Sequence, residues 1–496
     1  MTAPSKTTTG DLISTDPRTG AEVARFPIAD AASVVDAVDR AREAAQWWGD
    51  LEPKARRSWL LRFRSELARR SEDLAGVIAA ETGKPHDDAL LEVMLAIVHL
   101  DWAAKNAEKV LGRRKVGTGM MGANLTATVE HRPFGVIGVI GPWNYPVYTP
   151  MGSISYALAA GNAIVFKPSE LTPAVGQFLA DTWAAACPAQ PVLQVVHGRG
   201  DTGAALCRSG VDKLAFTGSA RTARTVMAAC AETLTPVTIE GGGKDAMIVD
   251  ADADVDAAVK AAAFGAYGNG GQTCAGVERV YVVADRYDEF VDKLAAASRE
   301  IHGGETDGVD YGPATMPAQL QIIASHIDDA LSRGGRALVG GRDSVGERTV
   351  QPVLLVDVPD DSTAVTEETF GPTVVVTRVE DVDEAIDKAN DSTYGLSAAI
   401  MTKNIDRGRE LARRLRTGAV AVNSFLSFAS VPALPFGGLG DSGFGRIHGA
   451  DGLREFSRPQ SVAAQKFALP MDLLSFTRKE RDMKSVRMML KHLYGR

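Results

Sequence analysis

Cysteine is scarce in this chain. The four present, Cys187, Cys207, Cys230 and Cys274, are too few among 496 residues for a disulfide framework. CxxC and HExxH segments are both missing, so a structural zinc or a metalloprotease centre has no support and no metal is expected. Aromatic residues make up only 6%, which leaves the core to Ala, Val, Leu and Ile. Positive charge is not in excess. The formal net charge of −8 excludes a general nucleic-acid binder with a basic face. The most apolar stretch, Met151–Phe166, is broken by Ser153, Ser155 and Asn162 and is shorter than the ~20 residues of a membrane span. Met1–Gly10 is polar and lacks the apolar core of a secretory signal. A reducing, cytoplasmic setting is therefore expected.

What is there has the balance of a globular protein, with 45% hydrophobic and 23% charged residues. At roughly 150 residues per domain, two to four domains are expected. Residues 31–110 read as helices: Leu60, Leu61, Phe63, Leu67 and Leu74 recur near the 3.6 period, and Gly83-Lys84-Pro85 is a stop signal. Leu125–Glu130 alternates apolar and polar residues, as a strand with one wet face does. From Gly135 short apolar runs alternate with helical stretches. Strands are expected at Val136–Ile140, Ala163–Phe166, Val192–Val196, Lys213–Phe216 and Val237–Glu240, with helices between them. Such alternation predicts an α/β fold with a parallel sheet covered on both faces, and ligands at the strands' carboxyl ends. A second series follows from Ala246, with strands at Val280–Val283, Val353–Val356, Thr373–Thr377, Ser397–Met401 and Gly418–Asn423. Two α/β units suggest a cofactor domain and a catalytic domain.

Chemistry-bearing residues cluster at those strand ends. Gly198-Arg199-Gly200-Asp201-Thr202-Gly203 has the GxGxxG spacing, but it follows the third strand and not the first, so a plain glycine turn competes with a phosphate loop. In Pro142-Trp143-Asn144-Tyr145-Pro146, Asn144 can offer its amide to an oxyanion, or merely bond its own turn. Lys167 and Glu170, flanking Ser169, can hold ribose hydroxyls; the alternative is a helix capped by Ser169 beside a solvated lysine. Glu240 runs into Gly241-Gly242-Gly243-Lys244. Burial would tune it as a general base, unless it pairs with Lys244. Cys274 lies in the polar, glycine-rich Gly268–Gly276, where a thiol can be exposed and backbone N–H groups favour the thiolate. A buried structural thiol is the alternative, as expected of the other three cysteines on helices.

Taken together these motifs resemble the aldehyde dehydrogenase superfamily, over about residues 15–465. They are the Pro-Trp-Asn turn, Lys167–Glu170, Phe216-Thr217-Gly218-Ser219, Glu240–Lys244, Gly271-Gln272-Thr273-Cys274, Glu367–Pro372, and Pro435–Gly438 with Ser442–Arg446. The resemblance implies an NAD(P)-dependent, non-acylating enzyme with a Rossmann-type cofactor domain, an α/β catalytic domain and a small β oligomerisation element. It makes Cys274 the nucleophile, Asn144 and the Cys274 N–H the oxyanion hole, and Glu240 the base for deacylation. It puts Trp143, Lys167, Ser169, Glu170, Gly200, Thr217, Gly218, Ser219, Gly242, Glu368 and Phe370 around NAD, with NADP admitted. The phosphate-side helix then begins near Ser219, and Gly198–Gly203 lies beside the adenine.

Three positions depart from the family pattern. Gly241 stands where a leucine is common, implying a roomier nicotinamide face. Ala223 replaces a glycine, and Ile447 takes the place of a second glutamate. A CoA-acylating relative is disfavoured by the presence of Glu240, and a non-catalytic relative by the joint presence of Cys274, Glu240 and Asn144.

The resemblance also implies domain limits: 1–114 with 134–240 for the cofactor, 241–446 for catalysis, 115–133 with 447–467 for oligomerisation, and a basic tail at 468–496. A homodimer or homotetramer is expected. For the aldehyde tunnel, Tyr145, Thr149 and Gly152 share one helical face, and Phe436 follows the loop Ser424–Leu434. Gly152 implies width, and the loop holds no Lys or Arg. Apolar aliphatic or aromatic aldehydes are therefore expected, with a succinate-semialdehyde-like substrate as the alternative. In the tail, Met483, Val486, Leu490 and Leu493 recur at helical spacing among Arg478, Lys479, Arg481, Lys484, Arg487, Lys491 and Arg496. Such a helix fits an anionic membrane surface or a packed partner subunit.

Overall fold

A computed structural model describes residues 10–471 and 473–495. The polar start before Gly10, and Arg496 of the tail, lie outside the described residues. Two compact units divide the chain: residues up to Val110 with Pro133–Ser457, and Leu111–Arg132 with the residues from Arg458 onward.

The larger unit opens with a hairpin, β1 (Asp11–Thr15) and β2 (Glu22–Pro27), which the sequence reading did not anticipate. Four helices follow, Ala31–Asp50, Pro53–Arg69, Ser71–Thr82 and His86–Leu111. They bury Leu60, Phe63, Leu67 and Leu74, as the 3.6-residue spacing predicts. Gly83 takes φ +77° as the left-handed cap that ends the third helix.

After β3 (Arg114–Val116) and β4 (Leu125–Pro133) come the strands of the first sheet. These are β5 (Val136–Ile140), β6 (Ala163–Lys167), β7 (Leu193–Val195), β8 (Lys213–Thr217) and β9 (Val237–Glu240). The order is β9-β8-β5-β6-β7, all parallel. The chain starts in the centre and winds first one way and then the other. The switch point therefore lies between β5 and β8, where such sheets bind ligands.

The second sheet holds β10 (Ala246–Val249), β11 (Arg279–Val283), β12 (Arg336–Val339), β13 (Val353–Val356), β14 (Thr373–Val379), β15 (Ser397–Met401) and β16 (Ala419–Val422). Its order is β12-β13-β14-β11-β10-β15-β16. The interior strand β10 and the edge strand β12 were not among the expected strands. Four apolar residues between Asp245 and Asp250 carry no period by which to tell strand from helix. The sheets are also not wholly parallel. β12 pairs antiparallel with β13, and β17 (Gly443–Phe444) pairs antiparallel with β9, setting Gly443 opposite Glu240.

The smaller unit is a three-stranded sheet, β18-β4-β3, where β18 spans Ser457–Gln465, followed by the helix Glu480–Tyr494. Residues 447–456 belong to the larger unit, so the expected start of this element moves to 458. The reason is local: the helix Gly449–Glu455 supplies Glu455, which bonds Lys213 and Thr238 under the first sheet.

Candidate active site

Four strand ends of the first sheet and several loops of the second supply the site. Glu240 closes β9 and is buried. Its side-chain partner is Thr217, whose hydroxyl donates at 3.2 Å. Burial dominates and pushes the carboxyl up to about 7, against a smaller opposite effect of that hydroxyl. Pairing with Lys244 does not occur. The Lys244 ammonium bonds the Glu278 carboxylate and, at 3.1 Å, the Thr369 hydroxyl.

Cys274 follows a tight turn in which Asn269, Gly270 and Gly271 all take positive φ, at +54°, +64° and +70°. A side chain at Gly271 would run into the Gly371 carbonyl, so glycine is required for the two loops to meet. The thiol is half-buried and opens on a cavity, unlike buried Cys187, Cys207 and Cys230. Its expected bias toward thiolate is not found. Burial, followed by the Glu240, Glu368 and Asp245 carboxylates, drives its pKa well above the ordinary thiol value and outweighs the Ala275 N–H.

Asn144 is buried and reaches across the site, its amide donating to the Gln272 carbonyl at 2.9 Å. One N–H is used there. The other is free to meet an oxyanion near Cys274. The turn around Asn144 is held by an ion pair that the sequence reading missed. Lys84, read only as part of a stop signal, donates to Glu92 at 2.7 Å and to the Asn144 carbonyl at 2.8 Å. Glu92 in turn accepts from the N–H groups of Val147 and Tyr148, at 2.7 and 3.1 Å. A lone glutamate in the apolar run Leu90–Val98 was the available signal.

The cavity offers about 190 Å³ of room. Leu91, Leu95, Phe264, Phe425, Phe428 and Phe436 give it apolar walls, with Tyr145, Tyr148 and Thr149 beside Cys274 and Glu240. The wall segment Ser427–Ser430 is pinned from below, where His99 Nε2 meets the Ala429 carbonyl at 2.9 Å. Gly152 does not line the cavity. His448 and Ile447 occupy the space beside it, so the expected width at that position is corrected. The charged side chains on the walls besides Glu240 and Cys274 are Lys84 and Glu92, paired with each other, and Asp88. Burial raises the Asp88 carboxyl.

Along the sheet's rim, Lys167 is buried and no solvated lysine. It donates to the Pro168 carbonyl at 3.0 Å and lies 3.8 Å from the exposed Glu170 carboxylate. Ser169 accepts from the Leu171 N–H at 3.2 Å and does not cap the next helix, whose N-terminus is bonded by Glu81. Gly200 opens the helix Gly200–Arg208 with free space around it, and Gly203 faces the Lys167 stem. Ser219 caps the helix Ala220–Ala231 through the Thr222 N–H at 3.3 Å. Gly218 donates its N–H to the Glu240 carbonyl at 3.0 Å.

Glu368 sits against Gly242, where a Cβ has no room, and accepts from the Gly243 N–H at 3.1 Å. Burial and then Glu278 push its carboxyl up to about 8. Phe370, at φ +51°, meets Trp143 edge-on at 5.5 Å. Gly241 does not leave the roomier face expected of it. The Asp441 carbonyl and the Ser442 backbone fill that space. These groups fit a dinucleotide: a buried ammonium beside a carboxylate suits ribose hydroxyls, and a capped helix N-terminus at the switch point suits phosphate.

Comparison with known proteins agrees with this geometry. The sequence pattern of the aldehyde dehydrogenase family matches residues 4–462. A Methylomonas sp. protein named 4,4'-diapolycopene aldehyde oxidase is 36% identical over 98% of this chain and 91% of its own length. A Mycolicibacterium smegmatis protein provisionally named succinate-semialdehyde dehydrogenase, with NADP(+) as its named cofactor, is 36% identical over 90% of this chain and 87% of its own. Among solved structures, lactaldehyde dehydrogenase from Escherichia coli superposes with a TM-score of 0.87 at 31% identity, covering 92% of this chain and 96% of that one. With its motifs, its two sheets and its relatives in agreement, this chain belongs to the aldehyde dehydrogenase family, whose reaction is the NAD(P)+-dependent oxidation of aldehydes to acids.

Proposed function

We propose that this chain oxidises apolar aliphatic or aromatic aldehydes, with Cys274 as nucleophile and NAD as the preferred cofactor. The supporting observation is that Cys274 and Glu240 open together on a cavity whose apolar walls include Leu91, Leu95, Phe264, Phe425, Phe428 and Phe436. The Cys274 sulfur attacks the aldehyde carbon as thiolate, its proton having left to solvent. Asn144 and the Cys274 N–H hold the resulting oxyanion of the thiohemiacetal. NAD(P)+, when bound, supplies the hydride acceptor that leaves a thioester on Cys274. Glu240 then draws a proton from water, which attacks the thioester and frees the acid and the thiol. Lys167, Ser169 and Glu170 hold the adenosine ribose, Gly200 lies beside the adenine, Thr217, Gly218 and Ser219 meet phosphate, and Gly242, Glu368, Trp143 and Phe370 border the nicotinamide end. Tyr145, Thr149 and Phe436 contact the aldehyde; Gly152 acts only by admitting His448.

A substrate carboxylate finds no free cation on these walls, and it would meet Asp88. One relative is named for succinate semialdehyde and another for a diapolycopene aldehyde. The second fits these walls better. The test is kcat/KM for hexanal, decanal, benzaldehyde and succinate semialdehyde. The apolar set should win, rising about fourfold per methylene while wall contact continues. A preference for the charged semialdehyde overturns the reading.

The free thiols support a reducing, cytoplasmic setting. Among the described residues no helix is long and apolar enough to cross a membrane. An oligomer, dimer or tetramer, is proposed through β18, an exposed strand at the edge of its sheet.

A further inference from the structure

The helix Glu480–Tyr494 carries two chemically different faces. Met483, Val486, Leu490 and Leu493 follow i, i+3, i+7, i+10 and make one apolar stripe, with Met489 and Tyr494 at its margins. Leu490, Leu493 and Tyr494 are exposed, and Met483, Val486 and Met489 are only half-buried. Just before the helix, Leu474 and Phe476 are fully exposed. Lys484, Arg487 and Lys491 run along one flank of that stripe, about one turn apart. Arg481 and Arg487 have acidic neighbours in Asp482 and Glu480. Arg478, Lys479, Lys484 and Lys491 make no ion pair among the described residues.

We propose that the segment Leu474–Tyr494 is a docking surface for anionic lipid bilayers, lying in the plane of the interface. Two requirements select this occupant. Bulky side chains as exposed as Leu474 and Phe476 need an apolar medium with depth. A row of Lys and Arg beside the stripe, with Lys484 and Lys491 unpaired among the described residues, needs negative charge at the edge of that medium. Anionic headgroups over acyl chains supply both at once, and long basic side chains reach from the apolar boundary to the headgroups. A protein partner would need an apolar groove as long as the helix, with acidic residues along its rim.

The experiment uses the full chain with two kinds of sucrose-loaded vesicle, phosphatidylcholine alone and an equal mixture with phosphatidylglycerol. The protein should pellet with the mixed vesicles, remain in solution with phosphatidylcholine alone, and detach at about 1 M NaCl, where the Debye length is about 3 Å. Replacing Lys484→Gln, Arg487→Gln and Lys491→Gln together should weaken partitioning about a hundredfold, at about fivefold per charge. Hexanal turnover in free solution should be unchanged, which shows the variant is folded. The double variant Leu490→Asp, Leu493→Asp should also fail to pellet. Equal pelleting with both vesicles, no pelleting with either, or triple-variant pelleting like the parent overturns the proposal. So does a chain that ignores vesicles but loses mass in light scattering when cut after Ser475, which assigns the surface to a second copy.

Discussion

Two regions of the larger unit treat a buried glutamate in opposite ways. At the start of β11, Glu278 is wrapped: Lys244 pairs with it, and the N–H groups of Thr369 and Phe370 donate to it at 2.9 Å. At the end of β9, Glu240 has one hydroxyl and a cavity. The wrapped carboxylate holds the Glu367–Pro372 loop against the second sheet and has no lone pair to spare for chemistry. The bare one is held at a pKa of about 7 by burial and can take or release a proton near neutrality. Lys84–Glu92 repeats the wrapped arrangement under Asn144. Buried carboxylates with full partnerships hold the site together; Glu240, with a single hydroxyl partner, is the one proposed for the reaction.

The sharpest break comes at the site itself. Cys274→Ala should abolish turnover. Glu240→Gln should keep a pre-steady-state burst of NADH yet lower the steady-state rate by about 10²–10⁴-fold, because deacylation alone lacks its base. A mutant with neither a lower kcat nor a preserved burst would remove Glu240 from that role. At a wrapped position the loss should appear in stability. Lys84→Met leaves Glu92 buried without its cation and should cost about 3–5 kcal/mol in urea unfolding, with kcat falling as the Asn144 turn loosens.

Next in size are the effects of pH. The Glu240 carboxyl ionises near 4.5 as an isolated group and near 7 in the fold. The folded state holds the extra proton between those values, so this group's contribution is full below about pH 4.5 and is lost as pH rises through 7. Glu240→Gln should therefore melt higher than the parent at pH 8 and lose that advantage near pH 5. The parent's deacylation-limited rate should rise with pH through about 7 and then level, as the base form accumulates. The smallest effect is expected at the rim. The exposed Glu170 carboxylate repels a 2′-phosphate, so Glu170→Gln should narrow the NAD over NADP ratio of kcat/KM by about tenfold or less. An unchanged ratio would move cofactor choice elsewhere, with Arg199 the next position to vary.

Much of this arrangement can be read from the chain alone. Short apolar runs ending in Asn144, Lys167, Thr217 and Glu240 mark both the strands and the ends that matter, because parallel strands buried on both faces must be apolar throughout. The glycines before Cys274 mark a loop that no helix or strand could be. Other features are invisible there. Lys84 and Glu92 lie eight residues apart, yet their importance comes from a turn some fifty residues further on. Nothing local separates the fate of Glu240 from that of Glu278.

Sequence by itself determined the family and most of the strand–helix alternation, and it pointed to the residues proposed to react, since periodicity and motif spacing are local properties. Tertiary structure alone decided which buried carboxylate was paired. It decided that the space beside Gly152 belongs to His448, and that the gap at Gly241 is closed by the Asp441–Ser442 backbone. Each of those outcomes depends on residues from separate elements, up to hundreds of positions apart, meeting in one place. Burial, which sets both pKa and cavity shape, exists only once they have met.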